Sequence, residues 1–167
     1  MEVGNIKRSI IGVMGGSQFV FPEVEQWAYK IGLLIAQEGC ILLNGGHAFG
    51  VMEASARGAK EGGGITIGIL PEENECLTSK YIDIPIKTGM GMARNVINVL
   101  SSDFIIALPG SAGTISEIAL ALNHKKMVIL FQYDVGEWVK PFQRKGLLLS
   151  IQKLEDLKHT IQKNKAI

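Results

Sequence analysis

Three short apolar runs in this chain each end in a turn that contains glycine. The runs and their turns are residues 9–14 with GGSQ (15–18), 40–43 with NGGHAFG (44–50), and 103–108 with PGSAGT (109–114). Runs without polar alternation are typical of strands buried on both faces of a parallel sheet. Apolar residues at helical spacing follow each turn, so the pattern predicts repeated strand–turn–helix units.

The rest of the chain continues the alternation. Further strands are predicted at 64–70, 81–86 and 127–131, and helices at 22–38, 51–62, 90–100, 112–123 and from Gly146 to the end, with a loop at 132–145. The fold class expected is therefore α/β: a Rossmann-like, doubly wound, mainly parallel sheet of six to seven strands with helices on both faces. The 47% hydrophobic content and the absence of linker-like stretches predict one domain over residues 1–167.

Charge and composition narrow the choice of partners and compartment. Seventeen Lys and Arg face 16 Asp and Glu, so the sequence lacks the basic surface typical of nucleic-acid binding. The N-terminal apolar run is too short for a signal peptide or a membrane span. Cys40 and Cys76 show no metal-ligand spacing. We therefore expect a cytoplasmic protein with no nucleic-acid or membrane partner and no metal ligands.

The glycine turns are candidate phosphate sites. Turns after parallel strands meet at one edge of the sheet, where glycine allows close approach of backbone N–H groups to an anion and helix N-termini favour negative charge. The alternative is that each turn only needs glycine and a helix cap, with Ser111 and Thr114 as caps. Three such turns at one edge favour a ligand, and the predicted binding residues are Gly15, Gly16, Ser17, Gly45, Gly46, Gly110, Ser111, Ala112, Gly113 and Thr114.

The turns do not match two common nucleotide motifs. None reads G-x-G-x-x-G, and the second strand ends in Asn44 rather than in an acidic residue that would hold a ribose diol. Gly50 is followed by Val51, not by the Lys-Ser/Thr pair of a P-loop. The sequence disfavours both a dinucleotide cofactor and ATP hydrolysis.

Two charged residues are candidates for chemistry. Arg94 lies in an otherwise apolar helical segment and needs an anionic partner, which is either a ligand or an acidic neighbour in a structural ion pair. Glu117 follows the PGSAGT turn closely enough to reach a ligand there, although a carboxylate near a helix N-terminus is also stabilising by itself. Glu53 is interpreted as such a helix-dipole carboxylate, and His47 as an incidental polar loop residue.

The string PGSAGTISE, with Arg94 placed 23 positions before Glu117, resembles the signature PGGxGTxxE of the LOG ("lonely guy") family, once misnamed lysine decarboxylases. The resemblance extends over most of the chain. The block at residues 44–71 and the triplet ARN look closer to a branch that includes molybdenum-cofactor carrier proteins. Both branches imply a Rossmann-like fold and a homodimer or higher homo-oligomer.

The LOG resemblance implies hydrolysis of the N-glycosidic bond of a nucleoside 5'-monophosphate, with Arg94 and Glu117 as catalytic residues and no required cofactor. Two positions depart from the signature: Ser111 replaces its second glycine, and Asn95 stands where a Lys usually follows the Arg. The second departure favours a carrier that binds its ligand without cleaving it. Two hypotheses follow: a phosphoribohydrolase, or a protein that binds a nucleotide monophosphate or the molybdenum cofactor. The apolar stripe Met90, Met92, Val96 and Val99 is predicted to be core rather than a dimer face.

Overall fold

The computed structural model describes residues 7–18 and 21–165. Its strands are β1 Ile10–Met14, β2 Ile41–Asn44, β3 Ile65–Leu70, β4 Ile84–Lys87, β5 Phe104–Ala107, β6 Val128–Phe131 and β7 Leu148–Ile151. Its α-helices are α1 Pro22–Gln37, α2 Gly50–Glu61, α3 Asn95–Ser101, α4 Ala112–Asn123, α5 Lys140–Arg144 and α6 Leu154–Asn164. Two 3-10 turns, Gly91–Arg94 and Glu137–Val139, precede α3 and α5.

The seven strands form one parallel sheet in the order β4-β3-β2-β1-β5-β6-β7. The chain builds outward from β1 through β2, β3 and β4, and then crosses to the other side of β1 to place β5. This reversal creates a topological switch point between β1 and β5, where open α/β sheets bind their ligands. The predicted α/β fold class is confirmed.

The sheet separates two hydrophobic cores because successive strand residues point to opposite faces. In β5, for example, Phe104 and Ile106 join one core, and Ile105 and Ala107 join the other. The first core contains apolar residues of α1, α2 and α6, and the second contains those of α3 and α4. Helices therefore cover both faces, as doubly wound sheets require. In the part of the chain described, no helix is long and apolar enough to cross a membrane.

The C-terminal segment differs from the prediction. The helix starts at Leu154 rather than at Gly146, because residues 148–151 form the edge strand β7 and pair with β6. Leu148 and Ile151 are buried on opposite cores. Their spacing also fits a helix, so the apolar pattern alone could not separate the two. The predicted loop at 132–145 likewise contains α5 and the 3-10 turn before it.

The apolar stripe around α3 was predicted to be core, and that prediction is wrong for most of it. Val99 is fully buried, but Met90, Met92 and Val96 are exposed by 48%, 64% and 37%, and Leu100 extends the exposed surface at 49%. The predicted single helix is a 3-10 turn followed by the seven-residue α3. Met92 on the 3-10 turn and Met90 before it are exposed, whereas Arg94 at the end of the turn is buried.

Candidate functional site

The three glycine turns lie side by side at the carboxyl edge of the sheet, because they follow the neighbouring parallel strands β2, β1 and β5. A cavity of about 320 Å³ opens there. Its lining combines backbone of the turns with polar and apolar side chains. The residues are Val13, Met14, Gly15, Ser17, Gln18, Gly45, His47, Phe49, Met52, Pro71, Leu77, Met92, Arg94, Asn95, Ser111, Gly113, Thr114 and Glu117.

Most of the predicted site residues lie in this cavity. They are Gly15, Ser17, Gly45, Arg94, Ser111, Gly113, Thr114 and Glu117. Gly16 and Gly110 line an adjacent cavity of about 360 Å³, which shares Gln18 and Ser111 with the first. Gly46 and Ala112 lie in the same turns but are not among the lining residues of either cavity.

The N-terminus of α4 faces the cavity without a side-chain cap. Ser111 occupies the N-cap position in extended conformation, and its hydroxyl makes no capping hydrogen bond. The first N–H groups of a helix have no partner within the helix, and the helix dipole makes this end favourable for an anion. The alternative that Ser111 serves as a cap therefore finds no support in its contacts. The exposed hydroxyl and the neighbouring N–H groups are available to a ligand.

Gly110 brings the first and third turns into close contact. A Cβ atom at Gly110 would lie 2.2 Å from Thr114 Oγ1 and 2.8 Å from the backbone nitrogen of Gly16. The N–H of Gly16 donates a hydrogen bond to the carbonyl of Pro109 across this contact, at 3.1 Å. Any larger residue at position 110 would push the first and third turns apart, so a glycine is required here for the two turns to stay in contact.

Asn44 holds the second turn. It is fully buried, and its Oδ1 accepts a hydrogen bond of 2.8 Å from the N–H of Gly46, which has a positive φ of 80°. Its Nδ2 donates to the carbonyl of Met52 and to Ser55 Oγ in α2. Asn44 therefore stabilises the turn and anchors it to α2.

Arg94 lies under the cavity with 6% of its surface exposed. Its Nη1 donates a hydrogen bond of 2.7 Å to Asn95 Oδ1 and lies 3.8 Å from Glu117 Oε1, while its Nε has no hydrogen-bond partner in the described part of the chain. A Cβ atom at Gly45 would lie 2.4 Å from Nη2, so this glycine packs directly against the guanidinium. Burial lowers the pKa of Arg94, and the nearby charges of Glu117 and Glu72 oppose that shift.

Glu117 projects from α4 towards Arg94 and is also 6% exposed. Its Oε1 accepts a hydrogen bond of 2.7 Å from Asn98 Nδ2. Burial raises the pKa of Glu117 to about 7, although the Asn98 hydrogen bond and the charge of Arg94 act in the opposite direction. A buried carboxyl that titrates near neutrality can exchange a proton at physiological pH.

Asn98 was not among the site residues predicted from the sequence, and Asn95 was noted there only as a departure from the LOG signature. Asn98 is fully buried, and within the part of the chain that the structure describes its Oδ1 has no hydrogen-bond partner. Asn95 Nδ2 donates to Ser116 Oγ at 3.2 Å, so Asn95 links Arg94 to α4. The available signal was the helical spacing of two amides behind Arg94 in the string ARNVIN.

His47 and Glu53 occupy different positions relative to the cavity. His47 lines it, and its Nε2 lies 2.9 Å from Glu72 Oε2, which lowers the pKa of Glu72 against the opposing effect of burial. Glu53 instead lines a small cavity at the start of α2, and its Oε2 has no hydrogen-bond partner. Among the described residues, no group of three or more His, Cys, Asp and Glu side chains is placed to hold a metal ion.

Solved structures that are similar to this chain include two proteins described as binding or carrying the molybdenum cofactor. The molybdenum cofactor binding protein of Rippkaea orientalis is 42% identical, with a TM-score of 0.86 over 95% of this chain and 98% of that one. The molybdenum cofactor carrier protein of Chlamydomonas reinhardtii is 40% identical, with a TM-score of 0.85 over 94% and 98% of the two chains.

The relatives found by sequence include a protein of uncharacterised function and a phosphoribohydrolase. A protein of uncharacterised function from Archaeoglobus fulgidus is 51% identical over 118 residues, which are 71% of this chain and 76% of that protein. A cytokinin riboside 5'-monophosphate phosphoribohydrolase of Mycobacterium marinum is 28% identical over 119 residues, or 65% of this chain and 63% of the enzyme. The match to the phosphoribohydrolase is thus weaker and covers less than two thirds of that enzyme.

The family model of the SLOG cluster4 family matches residues 8–162, which include all seven strands and the cavity. Because this match covers most of the chain, the chain belongs to the SLOG cluster4 family.

Proposed function

We propose that this protein binds a phosphate-bearing pterin cofactor of the molybdenum-cofactor type and carries it without cleaving it. The observation that supports this most directly is the uncapped N-terminus of α4, which opens onto a cavity above the buried cation Arg94. Helix N–H groups, a free hydroxyl and a guanidinium are the groups that bind phosphate in proteins. The ligand's phosphate would bind at Ser111, Gly113 and Thr114.

The remaining lining of the cavity fits a flat polar ring system. Met14, Met52 and Met92 provide adaptable apolar contacts, and Gln18, His47 and Asn95 offer polar atoms at the edges. The volume of about 320 Å³ is within the range of small-molecule sites. No three His, Cys, Asp and Glu side chains of the described residues come together to hold a metal ion. The cavity residues would therefore hold the cofactor by its phosphate and its ring, with the metal as part of the cargo.

The similarity to the two cofactor-binding structures supports the same proposal. Both cover nearly the whole chain at 40% identity or more, whereas the phosphoribohydrolase of Mycobacterium marinum matches 65% of it at 28%. Asn95 also supports binding without cleavage, because a neutral amide stands beside Arg94 where the LOG signature has a second cation.

The carrier proposal is tested on gently purified protein. We expect native mass spectrometry to show one co-purifying phosphate-bearing ligand per chain, with molybdenum in elemental analysis and pterin fluorescence after oxidation. The Thr114→Val variant should lose the ligand, whereas Thr160→Val on the exposed side of α6 should keep it. A ligand that survives in Thr114→Val, or protein that never binds added pterin phosphates, contradicts the proposal.

A second candidate function is phosphoribohydrolysis, which the position of Glu117 favours. This carboxyl lines the cavity beside Arg94 and could stabilise the positive charge that develops on the sugar when an N-glycosidic bond breaks. The test is release of ribose 5-phosphate from a panel of nucleoside monophosphates. Glu117→Gln should abolish such turnover and preserve binding, and no release from any monophosphate would exclude this candidate.

We also propose that the protein forms a homodimer through the exposed apolar surface of Met90, Met92, Val96 and Leu100. Met90 directly precedes the 3-10 turn, Met92 lies on it, and Val96 and Leu100 lie on α3; each of the four is more than one third exposed. Large exposed apolar patches often mark protein–protein interaction sites. Because Met92 also lines the cavity, a partner copy seated there would shield its entrance.

A further inference from the structure

Asn98 and Glu117 form a hydrogen-bonded pair in the interior, and Asn98 has one polar atom left over. Asn98 Nδ2 donates to Glu117 Oε1 at 2.7 Å, while Asn98 Oδ1 is buried without a hydrogen-bond partner in residues 7–18 and 21–165. An unsatisfied buried amide oxygen is costly, so its retention calls for a physical explanation. Asn98 is held in place by α3, whose carbonyl at this residue accepts a hydrogen bond from Ser102 Oγ at 2.8 Å.

An amide can serve either protonation state of a carboxyl. Its nitrogen donates to an ionised carboxylate, and after rotation by half a turn its oxygen accepts from a protonated one. The leftover Oδ1 of Asn98 would thereby gain a donor whenever Glu117 is protonated. Arg94 makes no close hydrogen bond to the Glu117 carboxyl, because its Nη1 donates to Asn95 Oδ1 at 2.7 Å and lies 3.8 Å from Glu117 Oε1.

We propose that Asn98 is a positioning residue that accommodates Glu117 in both protonation states, and that binding of an anionic ligand in the cavity is coupled to uptake of one proton by Glu117. This inference rests on the anion site proposed above. With Glu117 ionised, its charge compensates Arg94; with Glu117 protonated, Arg94 is an uncompensated cation beneath the phosphate turn. An anion therefore favours the protonated form, and the proton favours the anion.

A small number of described side chains around Glu117 and Arg94 can take part in this coupling. Arg94 and Asn98 contact Glu117 from the 3-10 turn and from α3. Glu72 acts on Arg94 through its charge, and His47 pairs with Glu72 at the cavity wall. The burial that raises the pKa of Glu117 to about 7 places the transition within the physiological range. His47 lines the same cavity and contacts Glu72, so a variant at His47 serves as a control.

The first measurement follows the Glu117 carboxyl directly by ¹³C NMR of glutamate-labelled protein. Asn98 serves both protonation states, but its hydrogen bond to the ionised carboxylate is charge-assisted and therefore stronger than the neutral hydrogen bond to the protonated form. Asn98→Leu should therefore move the titration midpoint of Glu117 up by about one pH unit. Asn98→Ala serves as a second variant if Leu is not tolerated. Ser102→Ala removes a hydrogen bond to the same segment of α3 without touching Glu117 and should leave the midpoint unchanged. An unchanged midpoint in both Asn98 variants overturns the role of Asn98.

The second measurement is the dissociation constant of inorganic sulfate, which keeps its two charges between pH 6 and pH 8. We expect sulfate to bind wild-type protein about tenfold more weakly at pH 8 than at pH 6, as uptake of one proton near pH 7 requires. Added sulfate should also raise the midpoint of Glu117. Glu117→Gln should bind equally at both pH values, whereas His47→Gln should keep the pH dependence.

The outcomes separate this inference from the proposed function. Sulfate that binds with the same affinity at pH 6 and pH 8, or a pH dependence that persists in Glu117→Gln, overturns the proton coupling and leaves the anion site intact. Failure of sulfate to bind at any pH overturns the anion site and the coupling with it, while the titration of the Asn98 variants still decides the role of Asn98.

Discussion

The closest acceptor to the guanidinium of Arg94 is the neutral Asn95 Oδ1 at 2.7 Å, and the carboxyl of Glu117 lies farther away at 3.8 Å from the same Nη1. Arg94 is thus buried beside an acid without forming a close ion pair with it. Its positive charge is only partly compensated, and its Nε has no hydrogen-bond partner among the described residues. This geometry differs from that of a structural salt bridge and supports the proposed anion site.

Replacement of Arg94 by Met should weaken anion binding by at least about tenfold, because charge-assisted hydrogen bonds contribute about 1.5 to 3 kcal/mol each. The measurement is a sulfate or phosphate titration followed by NMR. The matched control is Arg57→Met, which removes an arginine that stacks on Tyr29 away from the main cavity. Equal affinities in the two variants would show that Arg94 does not bind the anion. In Arg94→Met, the pKa of Glu117 should rise further, since a nearby positive charge is lost.

The stability of the protein should depend on the ionisation of Glu117. Its pKa is raised from 4.5 to about 7 in the folded state, so the folded state binds more protons than the unfolded state between these values. This contribution to stability is fully present below about pH 4.5 and is lost as the pH rises to about 7 and beyond, by up to about 3 kcal/mol.

Denaturant unfolding from pH 5 to pH 8 measures this contribution when wild type is compared with Glu117→Gln. The variant has no carboxyl to ionise, so its stability relative to wild type should increase with pH. Parallel stability curves for the two proteins would show that burial does not perturb Glu117 as described.

Two substitutions in the turn after β5 should abolish ligand binding and leave the fold largely intact. Thr114→Val removes a buried hydroxyl with little change in shape, and Gly113→Leu fills the cavity at its mouth. A Cβ at Gly113 meets only the flexible end of Met92 at 3.3 Å and Asn95 Nδ2 at 3.9 Å, so the backbone should tolerate the change. Circular dichroism and thermal melting check the fold. Retained affinity for phosphate-bearing ligands in both variants would remove the basis of either proposed function.

The apolar surface of α3 should control the oligomeric state. Val96→Asp and Leu100→Asp place charges on exposed positions outside the cavity lining, and together they should convert a dimer into a monomer in light scattering. Trp138→Gln changes another exposed apolar residue, at 42% exposure, and should leave the mass unchanged. A wild-type protein that is monomeric at all concentrations would contradict the proposed interface.

The sequence by itself determined the parallel sheet and the convergence of its turns. Apolar runs such as residues 103–108 predict strands that are buried on both faces of a parallel sheet. Because parallel strands all end at the same edge of the sheet, the glycine turns that follow three of them are expected to lie at that edge. The position of PGSAGT at the start of α4 follows from the same local rules. The alternation of apolar strands and helices can be recognised from local sequence patterns, and right-handed helical crossovers then return each strand in the same direction, so the parallel arrangement could be predicted without a structure.

Only the tertiary structure decided the roles of the residues around α3. The spacing of Met92, Arg94 and Val96 fits a continuous helix with an apolar core face. In the structure, Met92 on the 3-10 turn and Val96 on α3 are exposed, whereas Arg94 at the end of the turn is buried. The role of the Asn98 amide depends on its hydrogen bond to the carboxyl of Glu117, which lies 19 residues later in the sequence, on α4. The edge strand β7 likewise depended on pairing with β6. Burial and long-range pairing, rather than local periodicity, set these outcomes and the pKa of Glu117.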